Sequence, residues 1–155
     1  MSSAHSTSPA LTIRPLRAED RPEWQALWQA YLTFYESSLP PEIYEATFAR
    51  NVDPEAKERG AFVAERDGAL IGLVHYIFHA HNWHIEDVCY LQDLYVSEAA
   101  RGTGAGRALI EAVYRRADEN GTPTVYWTTQ EFNETARKLY DRIGKLTPFI
   151  KYQRP

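Results

Sequence analysis

Three glycines at alternate positions, Gly102, Gly104 and Gly106, stand in the stretch LYVSEAARGTGAGRALIEAV, between a β-type run that ends at Val96 and a helical run that begins at once. Glycines let a backbone fold tightly and let a ligand approach its amide N–H groups. The first-turn amides of a helix have no partner inside it, and together with the helix dipole they favour an anion. Arg101 and Arg107 flank the turn and add positive charge. A diphosphate is the natural occupant. A P-loop needs Gly-x-x-x-x-Gly-Lys-Ser/Thr, but Arg107 and Ala108 follow Gly106. A dinucleotide fold needs Gly-x-Gly-x-x-Gly early in a βαβ unit, with an acidic residue about 20 positions on. Here the spacing is Gly-x-Gly-x-Gly and it falls late in the chain. What is left is the diphosphate of coenzyme A, or a glycine-rich helix start that holds nothing.

Other reactive side chains are few. Cys89 is the only cysteine. It reads as a buried strand residue, because nothing beside it forms the Cys–His arrangement that activates a thiol. His75, His79, His81 and His84 invite a metal. Successive same-face positions on a strand stand about 6.6 Å apart, and the spacing matches no common zinc pattern. Structural or substrate-contact histidines, and no metal, are the expectation.

The elements that must position these residues follow from periodicity. Leu11 to Leu16 reads as a first strand. Trp24, Leu27, Trp28, Tyr31, Leu32 and Tyr35 recur at steps of three and four, the spacing of a helix with one apolar face. Pro40 and Pro41 interrupt it, and a second helix is expected over Glu42 to Arg50. AFVAERDGALIGLVHYIF reads as a hairpin turned at Asp67 and Gly68. Asn82 to His84 makes a second reversal, and Val88 to Val96 a further strand. A helix from Gly104 to Asn120 would bury Ala105, Ala108, Leu109, Ala112, Val113 and Ala117, with Gly121 as its stop. TVYWTT reads as a strand, Asn133 to Ile143 as a helix stopped by Gly144, and LTPFIKY as a terminal strand. The order β-α-α-β-β-β-α-β-α-β describes an α/β fold, one mixed sheet with helices on its faces.

Composition narrows the class. The chain has 155 residues, 44% hydrophobic and 25% charged, which suits one globular core and argues against wholesale disorder. Residues 1–10 read as a short flexible tail and residues 11–155 as a single domain. The net charge of -4 argues against a nucleic-acid surface and mildly favours basic acceptors over anions. The start, MSSAHSTSPA, has neither the charged region nor the apolar stretch of a leader. No run approaches the roughly 18 apolar residues of a membrane span. With a single cysteine, these features point to a reducing, cytoplasmic setting with no membrane partner.

RGTGAG resembles the Arg/Gln-x-x-Gly-x-Gly/Ala signature of the GCN5-related N-acetyltransferase (GNAT) superfamily. The likeness spans about Leu11 to Ile150. YLQDLYVSEAARGTGAGRALIEAV, with NETARKLYDRIG after it, is most similar in look to the fungal histone and polyamine acetyltransferase homologues and the diamine acetyltransferases. The resemblance implies a mostly antiparallel central sheet, helices on both faces, and two central parallel strands that splay. Acetyl-CoA would lie in that gap. The strand segment Leu94, Tyr95 and Val96 would pair with the pantetheine arm. Arg101, Gly102, Thr103, Gly104, Ala105, Gly106 and Arg107 would cradle the diphosphate. Asn133 would hold the cofactor arm, and Tyr140 would protonate the leaving thiolate.

The resemblance assigns a base less clearly. The diamine acetyltransferases usually carry Glu where this chain has Gln92, which cannot take a proton but could orient the amine or a water. Asp93 would face away from Gln92 on a regular strand. A lysine-like amine needs only about 3 kcal/mol to become neutral near pH 8. The acceptor mouth is expected between the first helices and the reversal before Val88. Tyr31, Tyr35 and Glu36 would line one side; Trp83, His84 and Glu86 the other. Aromatic faces and carboxylates suit an ammonium on an apolar stem. The implied function is direct acetyl transfer to a primary amine: a polyamine, an amino acid, a lysine-like group or, less favoured, a basic peptide. Relatives often pair, so a homodimer is expected as well, with FIKYQ as one element that could join the copies. The alternatives are a non-catalytic acyl-CoA-binding regulatory module of the same fold and an unrelated phosphate-ligand enzyme.

Overall fold

The computed structural model describes residues 10–155, so the expected tail lies, apart from Ala10, outside the described residues. The chain runs β1 (Thr12–Pro15), α1 (Arg21–Phe34), α2 (Pro41–Val52), β2 (Arg59–Arg66), β3 (Ala69–His79), β4 (Val88–Val96), α3 (Ala105–Glu119), β5 (Val125–Tyr126) and α4 (Glu134–Ile143). The strands form one sheet in the order β1-β2-β3-β4-β5. Its first three pairings are antiparallel and the last, β4 with β5, is parallel.

The hairpin turn falls where the sequence puts it, with Asp67 at φ 54° and Gly68 at φ 75°. Helix α1 carries proline in its first turn and buries Trp24, Leu27, Trp28 and Leu32. Its start is tied to the sheet by Arg14, whose guanidinium holds Asp20 at 2.8 and 2.9 Å and Glu65 at 2.8 Å. Two apolar layers result. Helices α1 and α2 cover one face through Trp24, Leu27, Trp28, Leu32, Phe48, Val63 and Leu73. Helix α3 covers the other through Ala105, Leu109, Ile110, Val113 and Ala117, with Leu139 and Tyr140 of α4 against it. Ile110 is buried although the expected stripe omits it, and Ala108 is only half-buried.

Two expected strands differ. The strand expected over Thr124 to Thr129 is reduced to Val125–Tyr126, because β4 leaves it after the pairs Cys89↔Val125 and Tyr90↔Tyr126. The terminal strand LTPFIKY does not form. No element follows α4 in the sheet, and Leu146, Phe149, Ile150 and Tyr152 stand 73–89% exposed.

Gly144 stops α4 for a reason other than backbone freedom. Its φ of -138° is open to any residue. A Cβ there would lie 2.8 and 2.9 Å from ring atoms of Trp127. Gly144→Ala should therefore cost about 1–3 kcal/mol by overpacking. A lowered urea midpoint with an unchanged slope would register it.

Candidate active site

The sheet opens at β4. His75 pairs with Asp93 and Tyr76 with Leu91, so Gln92 is one residue too many for the ladder. Such a bulge bends the strand and alters which face its side chains take. Cys89 and Leu91 pack toward α3. Beyond the bulge Leu94 and Val96 pack toward α3, whereas Asp93 and Tyr95 join the α1 side. From Leu91 to Val96, β4 has no partner on its β5 side. An internal strand edge of this kind offers backbone groups that need partners. Leu94, Tyr95 and Val96, the expected pantetheine contacts, are all half-buried along it.

The glycine turn follows directly. Gly102 and Gly104 have φ of 85° and 86°, and nothing lies within 4 Å of where a Cβ would be placed on either. Gly104 is the N-cap of α3 and contributes no side-chain cap, and the first turn of α3 has no acidic residue. Thr103 pins the turn, its hydroxyl donating to the Ala100 carbonyl at 2.6 Å. Arg101 and Arg107 are exposed; Arg107 makes only a 3.4 Å contact with Glu111. Ala105 is buried and anchors the helix start. At Gly106 a Cβ would meet Leu139 at 3.5 Å and Val96 at 3.7 Å, so the turn, the open strand edge and α4 converge. An open amide cradle with two exposed cations beside an unpaired strand edge fits the diphosphate and pantetheine of coenzyme A.

Helix α4 supplies the next residues. The Asn133 side-chain oxygen accepts from the Ala136 N–H at 3.3 Å and caps the helix, which leaves its NH₂ as the group for a ligand. Tyr140 is half-buried, with the Trp127 ring edge-on at 5.5 Å. Burial, and then the nearby Tyr35, push its phenol up to about 12, so it keeps its proton at neutral pH. Burial likewise pushes the Cys89 thiol up to about 12, against a slight opposing pull from Arg116, which disfavours it as a nucleophile.

On the α1 side, Tyr31 and Tyr35 meet edge to face at 5.0 Å, and Tyr31 also meets Tyr95 at 6.3 Å. Burial, then the charge of nearby Asp93, push the Tyr31 phenol far above its usual range. Tyr35 is raised by the same two influences, burial and then Asp93. Tyr90 stacks on Tyr126 at 4.9 Å, and the Tyr126 hydroxyl lies 2.7 Å from His79 Nε2. Tyr31, Tyr35 and Asp93 thus form one cluster. Glu36 is exposed at φ 54°, a left-handed residue at the end of α1. Trp83, His84 and Glu86 lie exposed on the β3–β4 reversal, where His84 pairs with Glu86 at 3.4 Å; among the described residues no hydrogen bond, ion pair or ring pair joins them to Tyr31 or Tyr35. Gln92 is exposed at the bulge. The histidines are dispersed: His75 bonds Asp93, His79 bonds Tyr126, and His81 faces His84. The roles of Asp93, Tyr90 and Tyr126 are absent from the sequence expectations, since only the bulge brings Asp93 round to the tyrosines.

Known proteins are similar to this chain in sequence and in fold. The acetyltransferase (GNAT) family model matches residues 24–144. The chain is 43% identical to the D-amino-acid N-acetyltransferase HPA3 of Saccharomyces cerevisiae, across 93% of this chain and 90% of that protein. It is 28% identical to the uncharacterized N-acetyltransferase YhfO of Bacillus subtilis, across 92% and 95%. In fold it is similar to the aminoglycoside N-acetyltransferase AAC(6')-Iy in complex with CoA, with a TM-score of 0.83 at 19% identity, over 97% of both chains. The ribosomal-protein-alanine N-acetyltransferase of Brucella melitensis gives a TM-score of 0.78 at 22% identity, over 94% and 99%. The chain belongs to the acetyltransferase (GNAT) family and is an N-acetyltransferase.

Proposed function

We propose that this protein moves the acetyl group of acetyl-CoA directly onto the primary amine of a small molecule, with amino acids, including the D series, as the leading acceptors. The observation that carries the reading is the meeting of the open β4 edge, the glycine turn and α4 at Gly106. Acetyl-CoA would supply a thioester, an electrophilic carbonyl carbon with a sulfur leaving group. The Gly102–Arg107 turn would hold its diphosphate, and Leu94 to Val96 its pantetheine. Tyr140 would hold the proton that the sulfur needs on departure. Tyr31 and Tyr35 would wall the acceptor. Gln92, exposed beside the strand edge, would orient the amine or a water.

The 43% identity to a D-amino-acid N-acetyltransferase supports an amino-acid acceptor over a polyamine. The chain lacks a long acidic tract to grip a basic peptide, which ranks small molecules higher. Among the described residues no helix is long and apolar enough to cross a membrane. A cytosolic setting rests on the single, buried cysteine. The exposed apolar side chains at Leu146, Phe149, Ile150 and Tyr152 support pairing of two copies.

Thiol release from acetyl-CoA, read against amino acids of both hands, polyamines, aminoglycosides and basic peptides, tests the reading. Mass spectrometry of the product should find one acetyl group on a small-molecule amine, most readily with a D-amino acid. Tight acetyl-CoA binding with no transfer to any acceptor would overturn it in favour of the regulatory module.

A further inference from the structure

Helix α4 carries Tyr140 but has little of its own to hold it in place. None of its ten residues, Glu134–Ile143, is fully buried. A helix of that length is marginal in water without tertiary contacts. Its N-terminal end is secured locally. Asn133 caps it on the Ala136 N–H, and the Arg137 guanidinium donates to the Glu131 carbonyl at 2.7 Å. At the other end the Gly144 N–H donates to the Tyr140 carbonyl at 2.7 Å. The Ile143 carbonyl lies beyond the helix's own ladder, as the last carbonyls of a helix do. The Tyr114 hydroxyl, on α3, donates to it at 2.7 Å from 29 residues away in sequence. Among the described residues this is the one side-chain hydrogen bond that ties α4 to another helix or strand. Burial raises the Tyr114 phenol, so it keeps the proton that makes the bond.

The donor stands on the firmer helix. Leu109, Ile110, Val113 and Ala117 of α3 are all 0% exposed. Trp127, the residue after β5, stands between the two tyrosines, with ring centroids 6.3 Å from Tyr114 and 5.5 Å from Tyr140. Gly144 closes on the same indole, with no room for a Cβ. We propose that Tyr114 is a positioning residue for Tyr140: through the Ile143 carbonyl and the Trp127 ring it docks the last turn of α4 on α3 and so fixes the phenol for proton delivery. This rests on the acetyl-transfer reading and names what holds its acid. Helix α3 opens at the glycine turn, and Tyr114 lies ten residues past Gly104, about 15 Å along the axis. One rigid helix thus sets both the diphosphate cradle and the seat of the acid. A donor placed in advance on a rigid support needs no reorganisation when the sulfur departs.

Tyr114→Phe is the test, because the ring stays beside Trp127 and only the hydroxyl is lost. With the best amine of the acceptor panel, kcat should fall about fivefold, the scale of one neutral hydrogen bond, while acetyl-CoA affinity stays within about twofold. In a Tyr140→Phe background the same change should leave kcat where it is, because Tyr114 acts through the hydroxyl already removed. A purely structural role would lower kcat equally in both backgrounds. A second arm needs no turnover. Amide hydrogen exchange, read by mass spectrometry, should quicken about fivefold in α4 of Tyr114→Phe and stay unchanged in α3. The inference is overturned if Tyr114→Phe keeps wild-type kcat, if the loss is the same in both backgrounds, if Tyr140→Phe alone keeps wild-type kcat, or if α4 exchange does not quicken apart from α3. Absence of turnover in the wild type with every amine would instead sink the transfer reading, and the exchange arm would still decide whether Tyr114 holds α4.

Discussion

Replacing Tyr140 with Phe should lower kcat on a good amine acceptor by roughly 10²-fold, the lower range for loss of a general acid. Acetyl-CoA affinity should stay within about threefold, because the hydroxyl is needed only as the sulfur departs. The phenol is half-buried and its pKa is pushed up to about 12, by burial first and Tyr35 second. It therefore stays protonated through the neutral range and can donate. The ring keeps its edge contact with Trp127 at 5.5 Å, so the variant should fold normally. Steady-state turnover and calorimetric affinity measured together separate the two effects. Wild-type turnover in the variant would remove Tyr140 as the required acid.

Gly104→Val should weaken acetyl-CoA binding roughly thirtyfold, the equivalent of about 2 kcal/mol. The cause is not a clash within the protein, since nothing lies within 4 Å of where the Cβ would be placed. It is the φ of 86°, which an L residue resists and a β-branched one resists most. The turn would relax toward negative φ and carry the first α3 amides off the diphosphate, while the added methyl groups enter the cradle. Gly104→Ala should do the same to a lesser degree. Unchanged calorimetric affinity in the valine variant would mean that this turn does not hold the diphosphate.

Helix α1 was legible because Trp24, Leu27, Trp28, Tyr31 and Leu32 repeat at helical spacing, and the β2–β3 turn because Asp67 and Gly68 tolerate positive φ. The glycine turn was legible because it is local: Gly102, Gly104 and the start of α3 are neighbours in sequence. The surroundings of Asp93 were not. Asp93, Tyr31, Tyr35 and His75 come from β4, α1 and β3, and whether Asp93 faces α1 depends on a bulge that alternation rules do not foresee. The two overestimated strands share another cause. TVYWTT and LTPFIKY have strand-like composition, but strands need ladder partners, and β4 offers β5 only two positions. Composition reports what a segment tolerates, not whether a neighbour is there to receive it.

The bulge at Gln92 also bears on how the course of β4 could arise. Without that one residue, Leu91 and Asp93 would be sequential, and each would keep its present face and its present partner on β3. The ladder would close without a single side chain changing sides. A regular and a bulged β3–β4 ladder therefore differ by one codon of length rather than by a new set of side chains.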